Sequence, residues 1–435
     1  MNLVDALEYK SYFFCGEELS FEERFFSTEP RLKCGQYAEV WSDGSTVWLA
    51  RDGLGIYKLF YAQQEGVVFV ANRIQRLLDY GINLRNINSV PAGHILKISS
   101  GAIVSTKIAD LLSITSGADF DLVEHQSTVD KLMKRYFSLL SRRRKGHKFA
   151  VCLSGGLDSS IIATYAKRYL ENVTFFSFSF ADNEILEHYA IAGKISREHL
   201  QALSLDFQAA SKISNLLDVK LVPVLRSREN VLPVIRTVVA LCQDWRDFNV
   251  HCAVVNYFLA QDIRTFFPAQ EITVLTGDLM NEFVCDYHEE SVGTTIYYPQ
   301  PRINIEQRRR FYIRGLDAGD REVGIFNALG LSLLQPYSVV ADMYMKIPTE
   351  HIADVGAKQR LNSFMLDPRI RDFVAHAKRR AQVGDEQGGV LGVFHNMGVT
   401  GRELLKTWKN SLSGSDLEDK EVESLIQFGR YRTGL

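Results

Sequence analysis

The sequence predicts an α/β chain of two domains, a strand-rich unit at 1–115 and a doubly wound parallel sheet at 116–435. Three observations carry this expectation. A length of 435 residues leaves room for two domains with cores of their own. Up to about residue 115, short apolar runs are broken by turn residues such as Asp43-Gly44, the spacing of packed sheets. Beyond that point, strand-length apolar runs alternate with helical periodicity, which favours parallel strands with ligands at their C-terminal ends.

In chain order, residues 36–41, 46–50, 67–71 and 94–99 have strand character. Residues 73–80 read as a helix, with Ile74, Leu77 and Leu78 on one face. The stretch 107–123 is rich in Ser, Gly and Asp and reads as a linker. Val129, Leu132, Met133, Phe137 and Leu140 then mark an amphipathic helix leading into a strand at 148–153. A helix at 161–170, a strand at 173–180 and a long helical stretch through 184–200 follow. The last 25 or so residues are polar and carry no functional signal.

Composition narrows the function classes. The formal net charge is -2, which gives no argument for a nucleic-acid or anionic-membrane partner. Two short basic runs, Arg142-Arg143-Arg144-Lys145 and Arg308-Arg309-Arg310, read as solvated helix ends, with a substrate phosphate or a partner's acidic face as the alternative. No apolar run reaches membrane-spanning length, and the N-terminus lacks a charged segment followed by an apolar core. The six cysteines are scattered without C-x-x-C spacing, so a cytoplasmic protein with reduced thiols and no structural zinc is expected.

The stretch Cys152-Leu153-Ser154-Gly155-Gly156-Leu157-Asp158-Ser159-Ser160 carries the chemistry. A strand, a Gly-Gly turn, hydroxyl residues and a helix start form an anion cradle. The glycines let backbone N–H groups approach phosphate oxygens, the serines add donors, and the helix N-terminus adds its positive end. A carboxylate there repels phosphate unless a divalent cation lies between them, which marks Asp158 as a metal ligand. A plain strand-to-helix turn with a capping serine is the structural alternative.

This is not the Walker loop, which needs a Gly-Lys-[Ser/Thr] ending. It resembles the PP-loop of ATP pyrophosphatases, and that resemblance implies ATP as cosubstrate, release of pyrophosphate and transfer of AMP to a carboxylate or carbonyl-type oxygen. The segments Gly35-Gln36-Tyr37-Ala38, Leu49-Ala50-Arg51-Asp52-Gly53-Leu54-Gly55, Phe69-Val70-Ala71-Asn72 and Pro91-Ala92-Gly93 resemble the N-terminal domain of asparagine synthetases. With the PP-loop behind them, the resemblance covers nearly the whole chain. It implies an Ntn-hydrolase-like αββα sandwich at 1–115 and an asparagine-synthetase-like domain at 116–435. Glutamine-using members of that family carry an exposed N-terminal cysteine as nucleophile. Here position 2 is Asn2, and Cys15 and Cys34 are internal. The first domain is therefore expected to be a degenerate glutaminase, kept as a lid and packing partner.

The resemblance also assigns site residues. The adenine pocket falls to Leu153 and Phe178. Thr276-Gly277-Asp278-Leu279-Met280-Asn281-Glu282 resembles the family's loop for magnesium and pyrophosphate. It implies phosphate contact at Gly277 and Mg²⁺ ligation by Asn281 and Glu282 with Asp158. Asn281 stands where the family has Asp, and Leu279 where it has Gly. Asp278 occupies a position suited to orienting or deprotonating an amine, or to holding a second metal. Its expected dyad partner, a Glu in the family, is Ser332. Lys358-Gln359-Arg360-Leu361-Asn362 resembles the element whose lysine reaches the α-phosphate and acyl oxygen in the transition state, which makes Lys358 the electrostatic catalyst. Asn362 replaces the closing arginine.

These assignments imply an ATP- and magnesium-dependent ligase for a small amino-acid-like substrate, or a peptide, with a homodimer allowed. β-Lactam-synthetase-like ring closure is favoured, because intramolecular attack supplies a large effective molarity. An ammonia-using asparagine synthetase and a lasso-peptide-type macrolactam cyclase are the close alternatives. A decayed nucleotide-binding scaffold is the alternative from another class.

Overall fold

The computed structural model describes residues 2–14, 19–27, 34–100, 102–114, 120–354, 356–374, 380–384, 388–412 and 418–420. Cys15, the centre of the expected linker and most of the polar tail lie outside the described residues.

The first unit holds two four-stranded sheets. One runs Asn2–Ala6, Val67–Ala71, Phe60–Gln64, Asn88–Ser89 in spatial order, and the other Ala102–Lys107, His94–Ser99, Thr46–Arg51, Ala38–Ser42. Asn2–Ala6 pairs parallel with Val67–Ala71, so the segment carrying Asn2 is an edge strand of its sheet. Val47, Leu49, Leu96 and Ile98 from one sheet and Ala62, Val68 and Val70 from the other enter the same core. The described α-helices here are the short Phe21–Phe25 and Ile74–Asp79.

The helix Leu122–Arg143 opens the second unit, with Asp121 capping it through Val123 N–H and Glu124 N–H. His125, Val129, Met133, Tyr136, Phe137 and Leu140 form its buried stripe. It delivers the chain to a five-stranded sheet ordered Leu221–Arg226, Val173–Phe180, Lys148–Cys152, Ile272–Leu275, Ser332–Leu334, parallel throughout. The chain enters at the middle strand, builds outward on one side, then returns to build on the other. The doubly wound expectation therefore holds, and the order reverses beside Lys148–Cys152, where such sheets open a crevice at their C-terminal edge.

Three local expectations change. The helix expected at 161–170 is Leu157–Tyr169, so Asp158, Ser159 and Ser160 lie in its first turn. The stretch 184–200 divides into Asn183–Ala192 and Arg197–Ala202, because Gly193 at φ 63° ends the first helix and Ser196 caps the second. The basic runs are not simply solvated. Arg143 donates to Phe13 O (2.7 Å), Arg144 donates to Thr273 Oγ1, and buried Arg309 donates to Ile347 O (2.9 Å). Among the described residues no helix is long and apolar enough to cross a membrane.

The two units share one continuous core. Polar contacts also cross between them: Tyr9 Oη–H to Asp320 (2.8 Å), Gln335 N–H to Gln36 Oε1 (2.7 Å) and Lys58 Nζ to Leu316 O (2.6 Å).

Candidate active site

The PP-loop geometry follows from its residue types. Gly155 has φ +75°, and a Cβ there would lie 2.7 Å from Asp206 O and 2.7 Å from Ala209 Cβ. Both the dihedral and the close approach demand glycine. Ser159 and Ser160 donate back to Gly156 O (3.1 and 2.7 Å), closing the first helical turn. Ser159 Oγ also accepts from Ser154 N–H (3.1 Å) and lies 3.0 Å from Ser154 Oγ, so the two hydroxyls stand side by side at the mouth.

The loop edges a cavity of about 180 Å³ at the C-terminal ends of the three inner strands. Leu153, Ser154, Asp158, Ser159, Phe178, Gly277, Asp278, Asn281 and Glu282 all line it. Gly155, Gly156 and Ser160 lie behind the lining and shape the loop. The inner wall is apolar, with Phe176 beside Phe178 and with Val255 and Leu259 from the helix Asp247–Phe266. Phe178 also stacks on Phe258, with centroids 6.0 Å apart. Gly277 packs directly on the loop helix, where a Cβ would lie 2.6 Å from Ser159 N. Leu279, in the position expected to favour glycine, keeps a left-handed backbone at φ 86° while burying its side chain. That conformation costs a branched residue on the order of 1 kcal/mol or more, which burial of the leucine side chain offsets.

Lys358, from the short helix Ala357–Asn362, reaches this mouth. Its Nζ lies 2.5 Å from Asp158 Oδ2 and 3.0 Å from Asp286 Oδ2, and donates to Asn281 Oδ1 (2.5 Å). Burial pulls the Lys358 pKa down, but the charges of Asp158 and Asp286 outweigh it and leave the group above its ordinary value. The lysine is cationic throughout the physiological range. Asp158 Oδ1 is buried and has no hydrogen-bond partner among the described residues.

Of the expected magnesium ligands, Asp158 Oδ2 and Asn281 Oδ1 both contact the Lys358 ammonium, and Asp158 Oδ1 is the oxygen left without a hydrogen-bond partner among the described residues. A cation here would share these two side chains with Lys358 and draw its other ligands from phosphates and water. Glu282 does not join them as an open ligand. Its Oε1 accepts from Tyr287 Oη–H (2.5 Å) and from Arg321 Nη2–H (3.2 Å), so it anchors Arg321 instead. Among the described residues no three His, Cys, Asp or Glu side chains gather as a ligand set.

Asp278 lines the cavity without Ser332, whose Oγ is buried without a partner among the described residues. Asn362 is fully buried and accepts from Tyr344 Oη–H, a packing role away from the cavity. Arg360 pairs with Asp354 at the surface (2.8 Å).

Sequence patterns missed Asp286, Arg321, Glu322 and Arg380. Arg321 is held by Glu322, Glu282 and Asn249 Oδ1 (3.0 Å), and its guanidinium lies 4.9 Å from the centroid of the Phe248 ring. Burial pushes the Glu322 carboxyl up to about 7, opposed by Arg321 and reinforced by Asp278. None of the four sits in a recognisable local motif; adjacent Arg321-Glu322 reads in sequence as an ordinary surface pair.

Comparison with known proteins places part of the chain. Residues 138–316 match the asparagine synthase family. Asparagine synthetase B [glutamine-hydrolyzing] of Escherichia coli K12 is 31% identical over 131 residues, which is 29% of this chain and 22% of that protein. The match thus spans about a fifth of that relative. NMN synthetase from Francisella tularensis aligns over 73% of this chain and 95% of its own, at TM-score 0.29 and 12% identity. NAD+ synthetase from Burkholderia pseudomallei aligns over 68% and 94%, at TM-score 0.23 and 14% identity.

Proposed function

We propose that the chain is an ATP-dependent, AMP-forming carbon–nitrogen ligase that adenylates the carboxylate of an amino-acid-like substrate and passes the acyl group to an amine. The observation that carries this reading is the contact of Lys358 with Asp158 and Asn281 at the mouth of the PP-loop cavity. A buried ammonium beside the glycine-serine loop at the cavity edge is suited to negative charge that builds on the α-phosphate and acyl oxygen. The loop N–H groups and the Ser154–Ser159 pair supply neutral donors to the released pyrophosphate. Magnesium, when bound at Asp158 and Asn281, would neutralise triphosphate charge. Asp278, on the same cavity wall, is suited to orient or deprotonate the amine in the second step.

Within this class, intramolecular ring closure of the β-lactam-synthetase kind remains the favoured form. Asn2 begins an edge strand and offers no thiol, which supports an amine source other than glutamine. The first domain is then a degenerate glutaminase-like unit serving as packing partner.

ATP–pyrophosphate exchange with a panel of amino acids and β-amino acids tests the first step, and mass spectrometry for loss of one water tests ring closure. Exchange with one acid class is the expected result. Nucleotide binding without exchange across the panel would leave the scaffold reading in its place. Glutamate release from glutamine would overturn the view of the first domain.

A further inference from the structure

A second cavity, of about 340 Å³, adjoins the nucleotide crevice and is lined by Ile56 and Lys58 of the first unit together with residues of the second. The two cavities share Phe248, Glu282, Tyr287, Arg321, Glu322 and Arg380 as a common wall. A substrate seated in the second cavity therefore abuts the place where nucleotide chemistry would occur.

Its chemistry is aromatic. Tyr298, Phe248, Tyr287 and Tyr312 form a continuous run, with successive ring centroids 5.0, 5.5 and 4.9 Å apart. Their hydroxyls are engaged within the protein: Tyr298 with His251 (2.6 Å), Tyr287 with Glu282, and Tyr312 with Gln300. The rings therefore contribute apolar surface rather than free hydroxyls. Two of the polar side chains in the lining carry a buried atom without a hydrogen-bond partner among the described residues. Gln335 is 2% exposed, and its Oε1 has no hydrogen-bond partner among the described residues. Arg380 Nη1, in the common wall, likewise lacks a hydrogen-bond partner among them.

The remaining cations already have partners. Arg246 pairs with Asp244 (2.5 Å), Arg321 with Glu282 and Glu322, and Lys58 Nζ donates to Gly55 O (2.7 Å) and Leu316 O (2.6 Å). A side-chain carboxylate, as in aspartate, would find Asp247, Asp320 and Glu322 in the lining, while Arg380, whose Nη2 donates to His288 O (3.1 Å), keeps Nη1 without a hydrogen-bond partner among the described residues.

We infer that this second cavity binds the body of the acid substrate, and that the substrate is an amino acid bearing an aryl or comparably large apolar group. Its ring lies along Phe248, Tyr287, Tyr298 and Tyr312. Gln335 Oε1 accepts from its ammonium, and Arg380 donates to its carboxylate on the side facing the nucleotide. This assignment rests on the adenylating reading above for the chemistry that follows binding.

Three acids with one head group separate the possibilities: phenylalanine, alanine and aspartate, titrated calorimetrically into the full chain loaded with magnesium and a non-hydrolysable ATP analogue. Phenylalanine should bind about tenfold or more tighter than either other acid, the scale expected from burying a ring. Tyr312→Ala and Gln335→Leu should each weaken phenylalanine about tenfold and leave the affinity for the analogue within about twofold, because neither residue lines the nucleotide crevice. Equal or tighter binding of alanine or aspartate, no binding of any of the three, or unchanged phenylalanine affinity in both variants would overturn the assignment. Photolabelling with 4-azidophenylalanine, followed by peptide mapping, serves if a variant fails to fold: labels at Phe248, Tyr287, Tyr298 or Tyr312 or elsewhere in the lining support the cavity, and labels outside the lining reject it. ATP–pyrophosphate exchange run alongside keeps the two ideas apart. Phenylalanine binding without exchange would remove the adenylating reading while leaving the cavity assignment, whereas exchange with aspartate alone would do the reverse.

Discussion

The turn at residues 51–58 and the loop at 152–160 are both buried, both contain glycines at positive φ, and both carry charge, yet they dispose of that charge in opposite ways. In the turn every charged group is satisfied by the fold. Arg51 donates to Tyr57 O (2.7 Å), Gly55 O (2.8 Å) and Val90 O (2.7 Å) and pairs with Asp317 (2.6 Å). Asp52 accepts from Leu54, Ile56 and Tyr57 N–H (3.1, 3.1 and 2.9 Å). At the loop, Asp158 keeps one oxygen without a partner among the described residues, and Lys358 gathers two carboxylates at the edge of a cavity. A buried charge closed off by backbone carbonyls locks two units together. A buried charge with unused valence beside a cavity is placed for a ligand.

The contrast predicts separable phenotypes. The largest effect belongs to Arg51→Ala, which strands Asp317 and several carbonyls and should cost about 3–5 kcal/mol of stability. Urea unfolding reads it directly. Arg51→Lys should fail to restore stability, since one ammonium cannot fork to the same acceptors. A loss below about 1 kcal/mol would erase the structural half of the comparison.

Lys358→Ala should act on turnover instead. Exchange should fall by about two to three orders of magnitude, with much less change in ATP affinity and a smaller shift in urea midpoint than Arg51→Ala. Full activity in this variant would move the electrostatic role elsewhere.

Gly155→Ala sharpens the boundary between the two kinds of buried position. The strained φ and the 2.7 Å approaches should cost about 1–3 kcal/mol, and the displaced loop should also weaken binding of an ATP analogue. Loss of stability alone would show that the loop backbone does not touch nucleotide.

The smallest effect is a pH dependence. Glu322 is pushed up to about 7 from the ordinary 4.5, so the folded chain holds a proton there that the unfolded chain has released. Its contribution to stability is present below about 4.5 and is lost as pH rises through about 7. Glu322→Gln should flatten that part of the stability profile, measured by urea unfolding between pH 5 and 8. An unchanged slope would assign it to another group.

Much of this molecule was legible in the sequence because it depends on neighbours along the chain. The strand at 148–152, the Gly-Gly turn and the amphipathic helix carrying Val129 to Leu140 are encoded by period and by residues with special backbone freedom. Lys358 was legible only through resemblance; nothing in its own segment distinguishes it from exposed Arg360 two residues on. Glu282 read as a metal ligand because it follows Asn281, but its direction was set by Tyr287 and by Arg321, 39 residues away.

What the sequence determined alone was local: a parallel sheet with a glycine-serine loop at its switch point, and the helix that begins in that loop. What only the tertiary structure decided was which charges remain available. Asp286 joining Lys358, Arg321 binding Glu282, Arg309 buried on Ile347 O and the aromatic wall behind the crevice all bring together residues far apart in the chain. Secondary structure follows from local sterics and periodicity, which a linear pattern records. The availability of a charge or a surface follows from which distant groups reach it first, and that is settled when the sheet, the helices and the first unit close on one core.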